Sequence, residues 1–357
     1  MLDFSQNDVI LMQEIRRKGS DSMNHTRIPS PYQPKLNPHE VQLAIGFIKQ
    51  TFQKALAQRL NLFRVSAPLF VDPAAGINDN LSGTERPVRF DIPAIDSGAE
   101  IVHSLAKWKR VALKKYGFSV HEGLFTDMNA IRRDEELDNL HSIYVDQWDW
   151  EKIITPEDRT PEYLRETVRQ IVEAIVETNE RLKEHFPYLN AAIKKEVTFI
   201  DTQDLEDRYP ELSPEEREAV CTREYQTVFL MRIGDKLKSG IPHGTRSPDY
   251  DDWKLNGDLL VWDELLGRPI ELSSMGIRVD PKSLEEQLIK SNCTERRGLY
   301  YHQMLLNNQL PLTIGGGIGQ SRLCMLLMQC AHIGEVQSSL WDPETIEQCK
   351  AGGVPLL

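Results

Sequence analysis

The sequence predicts an α+β fold in which helices flank a mostly antiparallel sheet. Helix start signals recur along the chain, and short apolar runs typical of strands lie between them. These segments do not alternate evenly as strand, helix and strand, which disfavours a doubly wound parallel sheet. No linker divides the chain after residue 36, so we expect a single domain over residues 37–357.

Residues 1–36 form a predicted N-terminal extension. Its segment 20–34 is polar and contains prolines, so we expect this part of the chain to be loosely ordered. A short helix is predicted over residues 9–17. The sequence assigns no function to the extension.

The helices are predicted from their capping residues. Asn37 followed by Pro38 and Glu40 is typical of a capping box, in which side chains satisfy the first free amides of a helix. Apolar residues then recur at helical spacing as far as Leu60. Comparable start signals occur at Thr160, Ser213 and Asp280. They predict three further helices.

The strands are predicted from short apolar runs between these helices. The runs span residues 63–71, 124–132, 143–150, 197–200, 228–233, 259–262 and 269–272. Their connections are irregular in length, which fits an antiparallel sheet better than repeated crossover units.

Composition and charge narrow the possible functions. The chain has 357 residues, of which 40% are hydrophobic and 27% charged, as is typical of a globular enzyme. Its net charge of -12 disfavours a nucleic-acid partner, because such proteins usually carry a basic face. No apolar run approaches the ~20 residues of a membrane span, and we see no signal peptide. With five cysteines and no C-x-x-C pair, we expect a cytoplasmic protein without a membrane partner.

The clearest local signal is the run from Thr313 to Arg322, which has four glycines in five positions. Glycines let a backbone approach a ligand closely. Arg322 is predicted at the start of an apolar helix, where a cation suggests a nearby anion or purine face. The run lacks the features of the common nucleotide loops. A nucleotide site and a glycine-rich strand packed against a neighbour fit it equally well.

Five further segments carry polar groups suited to ligand binding. If residues 143–150 form a strand, Gln147 and Asp149 share one face and suit an ammonium group, although an edge strand with solvated acids is the alternative. Asp258 and Glu271 on neighbouring strands could bind Mg²⁺ through oxygen, or be surface charges. Segment 131–135 is a strand end that carries arginines, and segment 102–110 is a small basic cluster. Segment 79–83 is a cluster of turn-forming residues.

Taken in order, these segments resemble the catalytic core of class II aminoacyl-tRNA synthetases, in particular its aspartate branch. A closer resemblance is to the aspartate–ammonia ligases, the ammonia-dependent asparagine synthetases. It is carried by residues 79–83, 103–110, 141–150, 248–253, 255–258, 271–279 and 313–323. It extends from about residue 35 to the C-terminus and implies a catalytic domain with an antiparallel sheet of about six strands flanked by helices. It also implies a homodimer.

The resemblance implies a reaction in which aspartate, ATP and ammonia give asparagine, AMP and pyrophosphate through β-aspartyl-AMP. The residues it assigns to ATP are Arg132, Glu135, Asp258, Glu271, Ser274, Gly317 and Arg322. Asp258 and Glu271 would hold Mg²⁺, and Arg322 would contact the γ-phosphate or stack on adenine. Arg132 would contact the α-phosphate, although the adjacent Arg133 leaves a one-residue ambiguity.

Aspartate is assigned by the same resemblance to Ser104, Lys109, Gln147, Asp149 and Arg278. Because the β-carboxylate has to be activated, we infer that the α-carboxylate lies near Lys109 and Arg278. Its ammonium group would then lie at Asp149, alone or with Gln147. The predicted catalytic residues are Arg132, Asp79 and Lys109.

Ammonium must also lose a proton before it attacks the activated carbonyl. Asp79 is the first candidate for the base, and Asp251 and Asp252 are the alternatives. Glutamine is not expected as the nitrogen donor, because no glutaminase domain is visible and residue 2 is leucine.

Two other functions compete with this interpretation. An aspartyl- or asparaginyl-tRNA synthetase would need an anticodon-binding domain before the core, and residues 1–36 are too few for one. A regulatory binder without catalysis would be expected to lack the phosphate and metal groups. These groups are present as Arg132, Asp258, Glu271 and Arg322.

Overall fold

The computed structural model describes residues 26–79 and 85–357. The helices in these ranges are α1 (Pro38–Leu60), α2 (Ala106–Tyr116), α3 (Pro161–His185), α4 (Thr202–Arg208), α5 (Pro214–Tyr225), α6 (Pro281–Lys290), α7 (Tyr300–Leu306), α8 (Gln320–Met328) and α9 (Pro343–Ala351). None of these described helices has the length and apolarity needed to cross a membrane. The helix predicted over residues 9–17 lies outside the described residues.

The strands in the described ranges are β1 (Leu62–Arg64), β2 (Phe70–Val71), β3 (Arg89–Ile92), β4 (Ser97–Ile101), β5 (Gly123–Ile131), β6 (Tyr144–Ile153), β7 (Thr198–Asp201), β8 (Thr227–Met231), β9 (Asp251–Asp263), β10 (Arg268–Arg278) and β11 (Thr313–Gly319). Eight of them form one sheet in the order β1-β5-β6-β11-β10-β9-β8-β7. The remaining three form a small antiparallel sheet in the order β2-β4-β3.

The predicted α+β class is confirmed, and the strand count needs a small correction. The six strands from β5 to β8 in the sheet order are antiparallel to one another. One parallel strand is added at each edge, β1 beside β5 and β7 beside β8, which raises the total to eight. Both edge strands overlap runs predicted from the sequence, 63–71 and 197–200, so the correction concerns the count of about six strands that the resemblance implied.

The strand predicted over residues 63–71 is wrong as a single element. It is divided into β1 and β2, which belong to different sheets. Pro68 lies between them, and proline cannot donate a hydrogen bond to a sheet ladder. The chain therefore leaves the large sheet before it starts the small one.

The predicted helix starts are confirmed. The Asn37 side chain accepts hydrogen bonds from the amides of His39 and Glu40, and the Glu40 side chain accepts one from Asn37. Ser213 and Asp280 begin α5 and α6 with the same reciprocal pair of bonds, and the Thr160 hydroxyl caps α3 by accepting from the Tyr163 amide.

The main core lies between one face of the large sheet and the helices α1, α3 and α8. On β6, Trp148 and Trp150 are fully buried in this core, and the Phe52 ring of α1 lies 4.6 Å from that of Trp148. Since successive side chains of a strand point to opposite faces, Gln147 and Asp149 point to the other side of the sheet. Because α1, α3 and α8 cover the opposite face, they leave this side of β6 available for a site.

Part of the predicted extension lies against the domain. The Leu36 side chain joins the main core, and the Thr26 hydroxyl lies 3.0 Å from that of Thr345 on α9. Residues 1–25 lie outside the described residues, so the division of the chain at residue 37 stays a prediction.

Candidate active site

A cavity of about 450 Å³ opens on the face of the sheet opposite α1. Every site residue predicted from the sequence lines it. These residues are Asp79, Ser104, Lys109, Arg132, Glu135, Gln147, Asp149, Asp258, Glu271, Ser274, Arg278, Gly317 and Arg322. Of the ambiguous pair Arg132 and Arg133, only Arg132 is among the lining residues. The fold therefore brings together groups that are up to about 240 positions apart in the chain.

Sheet register fixes the floor of the cavity. Asp149 on β6 is paired with Gly317 on β11, Gly317 with Ser274 on β10, and Ser274 with Asp258 on β9. These four residues form one row across four neighbouring strands. We call it the floor row.

The glycine run is a central strand of the sheet and also borders the cavity. A Cβ atom added to Gly316 would lie 2.5 Å from the Met275 Cβ, and one added to Gly317 would lie 2.4 Å from the Gln147 Oε1. Both contacts are too close for real atoms. The two interpretations of the run, close strand packing and a ligand surface, are therefore compatible.

Replacing Gly315 by alanine is expected to lower the free energy of unfolding by about 1–3 kcal/mol and to raise the KM for aspartate. Its Cβ would lie 1.9 Å from the Glu151 Oε2, so the glutamate would have to leave its position below the cavity. Chemical denaturation and steady-state kinetics measure the two effects. Gly46→Ala is the control, because no atom of another residue lies within 4 Å of its added Cβ. Equal effects of the two substitutions would contradict the expectation.

A buried charge network underlies the aspartate end of the cavity. Arg278 donates two parallel hydrogen bonds to Glu151, at 3.0 Å from Nε and 2.8 Å from Nη2, and a third to Asp251. The exposed fractions of the Arg278, Glu151 and Asp251 side chains are 3%, 0% and 2%. Burial alone would raise the pKa of Glu151, but Arg278, Lys109 and the Thr313 hydroxyl outweigh it and hold the pKa below its usual value.

Lys109 on α2 reaches the same region from the side. Its Nζ donates to the Asp149 Oδ1 and to the Gly316 carbonyl oxygen at 2.9 Å. Burial lowers the pKa of Lys109, and the nearby Arg278 charge adds to this effect, while Asp149 and Glu151 oppose it. Among the described residues the Asp149 Oδ2 is buried and has no hydrogen-bond partner. It is an acceptor that faces the cavity.

The opposite end of the cavity carries a second cluster of charges. Asp258 accepts hydrogen bonds from Arg246 and Ser274, and Arg246 also donates to the Ser274 hydroxyl at 2.6 Å. Burial raises the pKa of Asp258 to about 6; the Glu271 charge adds to the rise and Arg246 opposes it. The Arg322 Nη1 lies 3.7 Å from the Glu271 carboxylate and donates to its backbone oxygen at 3.0 Å.

Asp258 and Glu271 are a donor set suited to a hard divalent cation. Each supplies carboxylate oxygens, and the raised pKa of Asp258 reflects in part the repulsion between the two groups. No group of three or more histidine, cysteine, aspartate or glutamate residues in the described part of the chain is placed to hold a metal. The pair therefore fits Mg²⁺, which usually keeps waters and substrate phosphates as its other ligands.

Asp79 lies at the rim of the aspartate end. The Tyr250 hydroxyl donates to its Oδ2 at 2.9 Å, and the His103 Nδ1 lies 3.2 Å from its backbone oxygen. Of the alternative bases, Asp251 is bonded to Arg278. Asp252 is bonded to Arg159 and does not line the cavity. The assignment of Asp79 as the base stays a prediction, and residues 80–84 of its turn lie outside the described residues.

Two residues of these clusters were not predicted from the sequence. Arg246 belongs to an irregular segment between β8 and β9 that has no recognisable pattern. Glu151 lies two positions after Asp149, on the same face of β6 as Gln147. Extending the alternation by one step would have found it.

Comparison with known proteins decides the family. The model of the aspartate–ammonia ligase family matches residues 39–353. The chain belongs to the aspartate–ammonia ligase family. The resemblance inferred from the sequence motifs is confirmed by this match.

The relatives of this aspartate–ammonia ligase chain are similar over nearly their whole length. The aspartate–ammonia ligase of Lactobacillus johnsonii is 60% identical over 332 residues, which is 92% of this chain and 99% of that protein. The aspartate–ammonia ligase of Clostridium tetani is 56% identical over 331 residues, 92% of this chain and 97% of that protein. The residues that line the cavity all lie within the part of the chain that the family model matches.

Solved structures show that the ligase chain has the class II synthetase fold. Asparaginyl-tRNA synthetase of Entamoeba histolytica, solved with asparaginyl-adenylate, superposes with a TM-score of 0.61 at 13% identity. The match covers 94% of this chain and 71% of that one. The Pyrococcus horikoshii enzyme gives a TM-score of 0.60 at 15% identity, over 84% of this chain and 68% of that one. The predicted fold resemblance is confirmed.

Proposed function

We propose that the chain synthesises asparagine from aspartate and ammonia, consumes ATP and releases AMP and pyrophosphate through β-aspartyl-AMP. The observation that carries the proposal is the convergence of the thirteen predicted site residues on one cavity in a chain 60% identical to an aspartate–ammonia ligase. The asparaginyl-adenylate named for the Entamoeba structure belongs to that protein, and it supports adenylate chemistry on this fold. A tRNA synthetase is disfavoured, because the relatives at 60% and 56% identity are aspartate–ammonia ligases, whereas the two synthetase structures are 13% and 15% identical.

In this proposal aspartate binds with its α-carboxylate toward Lys109 and Arg278. Its ammonium group donates to the Asp149 Oδ2, which is supported by the lack of another partner for that oxygen among the described residues. Gln147 and Ser104 complete the contacts. This orientation leaves the β-carboxylate free to point along the floor row toward the phosphates.

ATP binds at the other end of the cavity, against Arg132, Glu135, Gly317 and Arg322. The role of Arg132 is to neutralise charge at the α-phosphate as the β-carboxylate oxygen attacks the phosphorus and pyrophosphate leaves. Asp258, Glu271 and Ser274 would hold Mg²⁺. When bound, Mg²⁺ withdraws charge from the phosphate oxygens as a Lewis acid.

The second half of the reaction forms the amide. Ammonium transfers a proton to Asp79, and the resulting ammonia attacks the β-carbonyl carbon of the adenylate. A carbon–nitrogen bond forms, the carbon–oxygen bond to the phosphate breaks, and AMP leaves. The surplus proton on the new nitrogen passes to solvent, which leaves the neutral amide. The burial of Asp79 beside Tyr250 supports this role, because few waters can then compete for the proton.

One assay tests the function. The purified chain is incubated with aspartate, ATP, MgCl₂ and ammonium, and asparagine, AMP and pyrophosphate are quantified. Equal amounts of the three products are expected, with little asparagine when glutamine replaces ammonium and none after chelation of Mg²⁺. Formation of ADP, or tRNA charging without free asparagine, would contradict the proposal.

We also propose that the chain is a cytoplasmic homodimer. The dimer is supported by exposed apolar side chains on β1, on the small sheet and beside it. They are Phe63, Leu69, Phe70, Phe90 and Ile95. The rings of Phe70 and Phe90 lie 5.2 Å apart, edge to face, and stay 45% and 38% exposed. Exposed apolar patches of this kind usually mark an interface.

Replacing Phe70 by aspartate is expected to convert the dimer to a monomer in sedimentation-velocity experiments. A charge in the centre of an apolar interface has to be desolvated without a partner, which weakens association by at least about a hundredfold. Ile241→Asp is the control, because Ile241 is also an exposed apolar residue, at 65% against 45% for Phe70, but belongs to the loop between β8 and β9 rather than to this surface. A wild-type monomer at micromolar concentration, or an unchanged dimer in Phe70→Asp, would contradict this interface.

A further inference from the structure

The start of the described chain is fastened to the loops around the cavity. Residues 26–32, which we call the N-terminal strap, cross the C-terminal part of the domain. The backbone N–H of Arg27 donates to the Asn139 Oδ1 at 2.8 Å, and the Asn139 Nδ2 donates to the Arg27 carbonyl at 2.9 Å. The side-chain amide of Asn139 thus pairs with the strap as a neighbouring strand would.

Asn139 joins the strap to two loops. It belongs to the connection between β5 and β6, residues 132–143, and is almost completely buried. Its Nδ2 also donates to the Ala331 carbonyl at 2.7 Å, and its own carbonyl accepts from the Ile333 amide at 2.8 Å. The segment 330–337 after α8 is therefore bonded to the β5–β6 loop through this one residue.

Tyr32 supplies a second attachment. Its hydroxyl donates to the Glu335 Oε2 at 2.7 Å. The other carboxylate oxygen of Glu335 accepts from the amides of Ala331, at 2.8 Å, and His332, at 3.1 Å. Tyr32 is thus bonded to Glu335, whose carboxylate accepts from the amides that begin the turn of segment 330–337.

Both fastened loops carry residues that line the cavity, whereas Asn139 and Tyr32 do not line it. The β5–β6 loop contributes Arg132, Glu135, Leu140 and His141, and segment 330–337 contributes Ile333 and Gln337. In the proposed function Arg132 and Glu135 lie at the ATP end. The strap is attached at this end and makes no hydrogen bond to Lys109, Asp149 or Arg278 among the described residues.

We propose that Asn139 and Tyr32 are positioning residues through which the N-terminal strap fixes two loops at the ATP end of the cavity, the β5–β6 loop and segment 330–337. This inference rests on the proposed function for the location of ATP. The strap closes the two loops against each other, so that Arg132 and Ile333 keep a constant separation. Aspartate binding, which depends on the buried charges under the sheet, is independent of the strap.

Asn139→Ala and Tyr32→Phe test the inference in the full-length chain. Each variant is expected to raise the KM for ATP about fivefold or more, which is the effect of losing roughly one hydrogen bond from the bound state. The KM for aspartate is expected to stay within about twofold of wild type, whereas kcat falls together with the loss of ATP affinity, because Arg132 acts on the α-phosphate in the transition state. Thermal unfolding is measured in parallel.

Matched controls remove the same chemical groups elsewhere. Asn179→Ala deletes another buried asparagine amide, which donates to the Ala191 carbonyl at 2.9 Å and does not line the cavity. Tyr188→Phe deletes another tyrosine hydroxyl bonded to a glutamate, Glu40, at 3.0 Å. Both are expected to leave the KM for ATP unchanged, whatever their effect on thermal stability.

The outcomes separate positioning from general stability. If Asn139→Ala lowers thermal stability as Asn179→Ala does and leaves the KM for ATP unchanged, the inference is wrong. A parallel rise of both KM values would overturn it as well. If wild type forms no asparagine, the proposed function fails. ATP binding measured by calorimetry then still tests the strap, and affinity equal to wild type in both strap variants would refute it.

Discussion

Replacing Glu151 by glutamine is expected to lower kcat/KM for aspartate at least about a hundredfold and to cost about 3 kcal/mol of unfolding free energy. The carboxylate is fully buried and bonded to Arg278 through both oxygens. Glutamine has nearly the same shape, but its amide nitrogen would face a guanidinium N–H. Arg278 would keep only Asp251 as an anionic partner and would leave its position under the substrate.

The control for this substitution is Glu162→Gln. Glu162 also pairs with an arginine, Arg165, at 3.0 Å, but the Glu162 side chain is 76% exposed on α3 and that of Arg165 is 35% exposed. Surface pairs of this kind contribute under about 1 kcal/mol. Urea denaturation and steady-state kinetics of both variants measure the difference. Similar effects at positions 151 and 162 would contradict the proposed importance of the buried network.

The stability effect at Glu151 is also expected to depend on pH. The pKa of Glu151 is lower in the folded chain than its usual value, because Arg278 and Lys109 outweigh burial. The folded state therefore binds the proton less readily than the unfolded state does. The stabilisation is fully present above the usual glutamate pKa and is lost as pH falls through the lower folded value. The difference between wild type and Glu151→Gln should thus be constant near neutral pH and shrink in acid.

Replacing Asp79 by asparagine is expected to separate the two halves of the reaction. Aspartate-dependent exchange of pyrophosphate into ATP reports adenylate formation, and it should continue because Asp79 lies away from the phosphate cluster. Asparagine formation from ammonium at neutral pH should fall about 10²–10⁴-fold, which is the usual contribution of a general base. Raising the pH should restore part of the rate, because more of the nitrogen donor is then already deprotonated.

Asp252→Asn is the comparison variant for this experiment. Asp252 was an alternative base, yet it pairs with Arg159 and does not line the cavity. Its substitution should affect exchange and asparagine formation equally, if at all. Loss of both activities in Asp79→Asn would mean that Asp79 positions substrate rather than accepting a proton. An unchanged asparagine rate would move the base elsewhere, with Asp251 as the next candidate.

Local patterns in the sequence predicted those features of the fold that depend on residues close together in the chain. Capping residues fixed the starts of four helices, and side-chain alternation on β6 placed Asp149 and Trp148 on opposite faces. The resemblance then located residues that all line one cavity. Their proposed roles remain to be tested by the substitutions above.

Contacts between distant segments could not be predicted in this way. Glu151 and Arg278 are 127 positions apart, and Arg27 and Asn139 are 112 apart. Such pairs depend on strand order and loop paths, which leave no periodic trace in the sequence. The same holds for Arg246, whose position is set by its bonds to Asp258 and Ser274 rather than by a helix or strand.

The floor row has a consequence for the length of substrate that the site accepts. Neighbouring strands are separated by about 4.8 Å, so the backbone positions of Asp149 and Asp258, three strands apart, are about 14 Å from each other. With the roles proposed here, this spacing sets the distance between the amino group of the substrate and the phosphates. Changing this distance would require a shift in the register of the four strands that form the floor row. Glutamate, one methylene longer, would carry its terminal carboxylate past the point of attack, so discrimination between the two acids is built into the backbone of the sheet.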